Sequence, residues 1–98
     1  MRSRARVDGN HSKIVEALRM AGCTVQSLAA LGHGAPDLLI GFRTQNYLVE
    51  VKDGSKPPSR QRLTHDEQVW HAAWAGQIAV VATIDEALAV IYSTHDGA

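Results

Sequence analysis

The chain has 98 residues, 45% of them hydrophobic and 20% charged, with ten basic residues against ten acidic ones. That is the size of one domain with an ordinary globular composition, which excludes wholesale disorder, collagen-like repeats and low-complexity arrays. No apolar run approaches the roughly 18 residues that a bilayer-spanning helix needs, and balanced charge predicts no polyanion partner from bulk electrostatics alone.

Residues 1–9 carry a basic arm, Arg2, Arg4 and Arg6, followed by Val-Asp-Gly-Asn rather than an apolar stretch, so no secretory signal is expected. Residues 11–22 read as a helix: Ile14, Leu18 and Ala21 share a face, Asn10 or Ser12 suits its start, and Gly22 suits its end. Cys23 is the single cysteine. It cannot form an internal disulfide, suits a small buried hydrophobe and accords with a cytoplasmic address. Residues 23–30 suggest a weakly alternating strand, and Gly32 to Pro36 a loop. Asp37–Phe42 and Tyr47–Lys52 predict two adjacent strands of an antiparallel hairpin, turned over residues 43–46.

Residues 53–63 form a polar loop around Pro57-Pro58. Thr64-His-Asp-Glu67 has the form of a capping box opening a helix to Ala75, with Gly76 beyond it. Residues 77–82 read as a buried strand, and Thr83-Ile-Asp-Glu86 as a second capping box opening a last helix to Tyr92. The tail from Ser93 is expected to fray. The order α-β-β-β-α-β-α predicts a single α/β sandwich with a central mixed sheet.

One group of residues stands apart from this scaffold. Glu50 and Lys52 alternate onto one face of their strand, opposite the apolar Tyr47, Val49 and Val51. Counting through the hairpin brings Asp37 toward the end of the same strand, close to Lys52. Two carboxylates then share one hard cation, magnesium or manganese, with a lysine beside it. Such a cation polarises a phosphoryl oxygen and helps generate hydroxide, while the lysine offsets developing phosphate charge or helps activate water. Two carboxylates this close should leave one with a raised pKa when no cation is present.

Pro36-Asp37 followed by Glu50-Val51-Lys52 resembles the PD-(D/E)XK nuclease superfamily, and the order of elements resembles its restriction-endonuclease-like core. Gly34-Ala-Pro-Asp-Leu-Leu-Ile40, Leu48-Val-Glu-Val-Lys52, Gln61, Thr64-His-Asp-Glu-Gln68-Val-Trp70, Gly76 and Val80-Val81 together resemble its VRR-NUC branch, over roughly residues 10–92. The three-letter pattern that names the branch has no counterpart after Gly76, where the strand reads Gln-Ile-Ala-Val-Val. The resemblance implies Asp37, Glu50 and the Val51 carbonyl as metal ligands and Lys52 as the catalytic lysine. It further implies Glu16 on the first helix and Gln68 on the later helix as site residues. Many small phage-type members of the branch consist of this domain alone, which suggests the cytoplasm of a bacterial or phage-infected cell.

Each residue also has an ordinary alternative. Asp37 suits a strand start, Glu50 and Lys52 an exposed strand face, and Glu16 the wet side of an amphipathic helix. Trp70 and Trp74, four apart, suit a core or a dimer interface better than a platform for bases. His33 stands in the loop before Asp37, where it is either a plain loop residue or a phosphate contact. Lys56, Arg60 and Arg62 are the best candidates for phosphate-backbone contacts, and the Arg2, Arg4 and Arg6 arm would extend that track.

The resulting expectation is a metal-dependent DNA endonuclease, structure-selective in the manner of enzymes that resolve four-way junctions. So short a chain has little surface for a separate base-reading element. Opposed cuts in a two-fold symmetric junction predict a homodimer. The competing expectations are a non-catalytic nucleic-acid-binding module on the same fold, and a purely structural or interaction protein.

Overall fold

The computed structural model describes residues 9–93. Arg2, Arg4, Arg6 and residues 94–98 lie outside the described residues. The chain runs α1 (Gly9–Met20), β1 (Thr24–Ser27), β2 (Leu38–Phe42), β3 (Gln45–Val51), α2 (His65–Ala73), β4 (Ala79–Val81) and α3 (Ile84–Ser93). Single 3-10 turns stand at Ala29–Leu31 and Pro58–Arg60. This is the expected α/β order. Among the described residues no helix is long and apolar enough to cross a membrane.

The four strands form one mixed sheet in the order β1-β2-β3-β4, antiparallel through β3 and parallel between β3 and β4. Parallel pairing needs a crossover, and the loop after β3 together with α2 supplies it. One face of the sheet carries Leu38, Ile40, Phe42, Tyr47, Val49 and Val81, all buried. Ile14 and Leu18 of α1 and Ala87 and Ile91 of α3, each pair one helical turn apart, close the same core. Burying each large aliphatic side chain here contributes about 1.5–3 kcal/mol. Cys23 is buried in this core, as expected, and burial pushes its thiol pKa up.

The hairpin differs from its sequence reading in a way that matters for the site. Its turn is only Arg43-Thr44, with φ of 51° and 66°. Positive φ at both central residues is the geometry of tight hairpin turns, normally signalled by Asn-Gly or Asp-Gly. Arg-Thr carries no such signal, and Asn46 looks like the turn residue instead. Asn46 in fact lies in β3, opposite Gly41. The register shifts accordingly: Leu38 pairs with Val49, so Asp37 is level with Glu50 rather than with Lys52.

Smaller corrections follow the same logic of tertiary context. Asn10 lies inside α1, and its amide donates to the carbonyls of Lys52 and Ala82 at 2.8 and 3.1 Å. It thereby ties the helix to the ends of β3 and β4. The α2 capping box forms as predicted, but the helix stops at Ala73, with Trp74 extended. At α3, Thr83 caps the Glu86 amide, while the Glu86 carboxylate takes the amide of Ala82 rather than that of Thr83. Ser93 belongs to α3.

α2 has no buried residue. It is placed by close contacts at its first turn. Gly34 has φ +85°, and a Cβ there would collide with the Asp66 carbonyl at the start of α2. Gly34→Ala is therefore expected to lower stability by about 1–3 kcal/mol, read as a reduced midpoint in urea unfolding.

Candidate active site

Asp37 is half-buried just before β2, behind the buried Pro36. Its carbonyl accepts from the Leu28 amide at 2.8 Å. Its carboxylate accepts from the Val51 amide at 2.7 Å through Oδ2. The side chain is thus pinned across the hairpin beside Glu50, while Oδ1 has no hydrogen-bond partner among the described residues.

Glu50 is only 3% exposed, although it lies on the sheet face away from the main core. Its Oε2 stands 3.6 Å from the Lys52 ammonium. Its Oε1 is buried without a hydrogen-bond partner. Burial is the main reason its pKa rises from 4.5 to about 9, followed by the Asp37 charge, then a side-chain hydrogen bond that the protonated carboxyl shares with Glu67, and the Glu67 charge; Lys52 opposes the shift. The raised carboxyl that proximity to Asp37 leads one to expect is therefore present, with desolvation as its leading cause.

Lys52 follows one residue beyond β3, its amide bonded to the Val81 carbonyl at 2.8 Å. Its ammonium bonds Glu67 Oε1 at 2.7 Å, with the two side chains 14% and 17% exposed. Burial would lower the Lys52 pKa, but the hydrogen bond and charge of Glu67, with the charges of Glu50 and Asp37, outweigh it and hold it above its ordinary value. Glu67 moves the other way: burial works against ionisation, yet the bonds from Lys52 and the Thr64 amide keep its pKa low. Glu67 is the site residue that sequence reading misses. The capping box accounts for a glutamate at that position completely, so nothing in the sequence calls for a second role.

Other expected site residues fall elsewhere. Glu16 is exposed on α1, along a surface hollow with Val15, Arg19 and Met20 that includes none of the cluster. Gln68 is exposed, and its amide donates to the Leu63 carbonyl at 3.0 Å. His33, at φ 56°, lines a different hollow with His65, Val69, Trp70 and Trp74. Trp70 and Trp74 are not in the core; their rings stack at 4.6 Å and 19°, and Trp74 is 44% exposed. Val51 packs its side chain against the core between Glu50 and Lys52. Lys56, Arg60 and Arg62 are exposed on the loop that leaves Lys52 and returns at Thr64.

A divalent cation fits this donor set. Among the described residues no group of three or more acidic, histidine or cysteine side chains is placed to hold a metal ion, so the protein would supply two carboxylates at most. Magnesium commonly uses one or two carboxylates and keeps several waters. An orphaned Glu50 oxygen beside Asp37 supplies donors of that kind.

No protein-family model and no curated protein matches the chain. Among solved structures, one described as a VRR_NUC domain is 28% identical, with a TM-score of 0.52. The similarity covers 82% of this chain and 87% of that one. The chain is VRR-NUC-like, and so PD-(D/E)XK-like. Its α/β sandwich is accordingly a nuclease fold, and its Asp37, Glu50 and Lys52 lie together at one end of β2 and β3.

The raised Glu50 carboxyl has a consequence for stability in this VRR-NUC-like domain. Its folded-state pKa lies above the unfolded one, so the stability it contributes is present below about 4.5 and is lost as pH rises toward about 9. Glu50→Gln should therefore make the metal-free protein more stable at pH 8 by about 1–3 kcal/mol, with a flatter dependence of melting temperature on pH. Magnesium or manganese should raise the melting temperature of the unaltered chain and not that of the variant.

Proposed function

We propose that the chain is a divalent-metal-dependent DNA endonuclease, hydrolysing phosphodiesters with a preference for branched structures such as four-way junctions. The observation that carries this reading is the buried Glu50 oxygen without a partner, flanked by Asp37 and the Lys52 ammonium. Burying a carboxylate with an unfilled acceptor is costly, and a bound cation removes that cost. Asp37, Glu50 and the Val51 carbonyl would hold magnesium or manganese, which supplies Lewis-acid polarisation of the scissile phosphate and a hydroxide at neutral pH.

The chain's own residues divide the remaining work. The Val51 amide holds Asp37 through one carboxylate oxygen and leaves the other without a hydrogen-bond partner among the described residues. Lys52, held above its ordinary pKa, stays an ammonium near neutral pH. That suits it to offset charge building on the phosphoryl oxygens and makes it a poor general base. Lys56, Arg60 and Arg62 make no ion pair with an acidic side chain among the described residues. Their charges would meet a phosphate backbone, and Arg2, Arg4 and Arg6 would add to that track. Gln68, Glu16 and His33 make no hydrogen bond or ion pair with the carboxylate cluster among the described residues.

Cleavage assays on a four-way junction, a flap and a plain duplex, with manganese or magnesium, test the reading. The junction should be cut fastest, and Asp37→Asn or Lys52→Ala should each reduce cleavage by at least about 10²-fold without changing the circular dichroism spectrum. Full activity in either variant sinks the assignment.

A homodimer belongs to the same reading, because two opposed cuts need two sites related by a two-fold axis. Leu39, Val69, Trp74 and Val80 are exposed apolar side chains that a second copy would cover. Light scattering at micromolar concentration should give twice the chain mass of 10.6 kDa; a mass of one chain would remove the dimer from the proposal.

A further inference from the structure

We propose that Glu67 is a positioning residue for Lys52. The proposal rests on the nuclease reading above.

Glu67 Oε1 accepts two bonds at once, from the Lys52 ammonium at 2.7 Å and from the Thr64 amide at 2.8 Å. A carboxylate oxygen has lone pairs for both. The Thr64 hydroxyl in turn accepts from the Glu67 amide at 3.2 Å. The Glu67 side chain is therefore held by the Thr64 backbone amide, independently of the Thr64 hydroxyl, where it reaches Lys52. This matters because a lysine side chain is long and flexible and loses up to about 2 kcal/mol of rotamer freedom when held. Glu50 alone, at 3.6 Å, is beyond hydrogen-bond distance and cannot hold it.

A second contact comes from the neighbouring residue. The Asp66 carbonyl packs against Gly34, three residues before Asp37. Consecutive residues of one helical turn thus touch the loop bearing Asp37 and the side chain of Lys52. With no buried residue of its own, α2 has these contacts rather than core packing to fix where it sits. The helix start thus touches both halves of the cluster, which the Val51 amide also joins through its bond to the Asp37 carboxylate.

Three substitutions separate positioning from capping. Thr64→Ala removes the cap hydroxyl and leaves the Lys52–Glu67 pair. Glu67→Ala removes both the pair and the returning half of the capping box. Glu67→Gln keeps an oxygen for Lys52 and suits the box, since glutamine also serves at that position. Thr64→Ala and Glu67→Ala should lose similar melting temperature. Only Glu67→Ala should lose kcat, by about 10–100-fold, with KM for DNA unchanged, and Glu67→Gln should recover most of it. Equal kcat in Thr64→Ala and Glu67→Ala would overturn the proposal while leaving the nuclease reading intact.

A readout independent of cleavage is the rate at which an amine-reactive ester labels Lys52 relative to Lys56 in the metal-free protein, measured by mass spectrometry. Lys52 should label slowly in the unaltered chain and in Thr64→Ala, and faster in Glu67→Ala. Identical Lys52 labelling in all three would overturn the proposal. If the unaltered chain cuts no DNA, the nuclease reading fails, and the labelling comparison still decides whether Glu67 holds Lys52.

Discussion

A carboxyl group buried in a β-sheet constrains everything around it. Glu50 is as inaccessible as the core aliphatics, yet one of its oxygens meets no donor. Left ionised and alone, it would cost several kcal/mol in a domain whose whole stability is of order 5–15 kcal/mol. The chain responds in two ways. It lets the carboxyl hold its proton to about pH 9, and it brings an ammonium within 3.6 Å. The first response also lets the protonated Glu50 share a hydrogen bond with the Glu67 carboxylate, so three acids and one ammonium are balanced in one cluster.

The rest of the site follows from that constraint. Asp37 shares the end of the hairpin with Glu50 and adds to its difficulty by like charge, but its own carboxylate is steadied by the Val51 amide. Lys52 sits between acids on two elements, Glu50 on β3 and Glu67 on α2, and the closer pair is the one across elements. The positive charge is therefore held at the seam between the sheet and the crossover helix. Asn10 works at the same end of the sheet, donating to the carbonyls of Lys52 and Ala82. Polar groups concentrated at this end of the sheet stand where apolar contacts would bind α2 more firmly.

The two faces of the sheet illustrate the division. One is closed by α1 and α3 through Ile14, Leu18, Ala87 and Ile91. The other carries Glu50 and is flanked by a helix without a buried side chain, leaving Leu39 and Val80 exposed. At the far end of that helix, the Trp74 indole donates to the Gln77 carbonyl. The Gln77 side-chain amide then pairs with the backbone of Leu48 at 2.7 and 3.1 Å. A side-chain amide standing in for a strand residue extends the pairing of β3 where β4 has not yet begun.

Much of this was determined by the sequence alone. Apolar spacing of two and of three to four residues specified which segments are strands and helices, because that periodicity is what one buried face requires. Pro36-Asp37 and Glu50-x-Lys52 were legible as a cluster because strand alternation puts Glu50 and Lys52 on one side whatever else the chain does. Three things were decided only by tertiary structure. The hairpin register depended on Arg43 and Thr44 accepting left-handed backbone, which neither residue advertises. The burial of Glu50 depended on what covers that face, and strand alternation says nothing about the neighbour across the sheet. The Lys52–Glu67 pair joined residues from two elements, with Glu67 already explained locally by its cap. Local patterns record what a residue does for its own element; a contact between elements is set by how the elements pack, and it leaves no periodic trace in the chain.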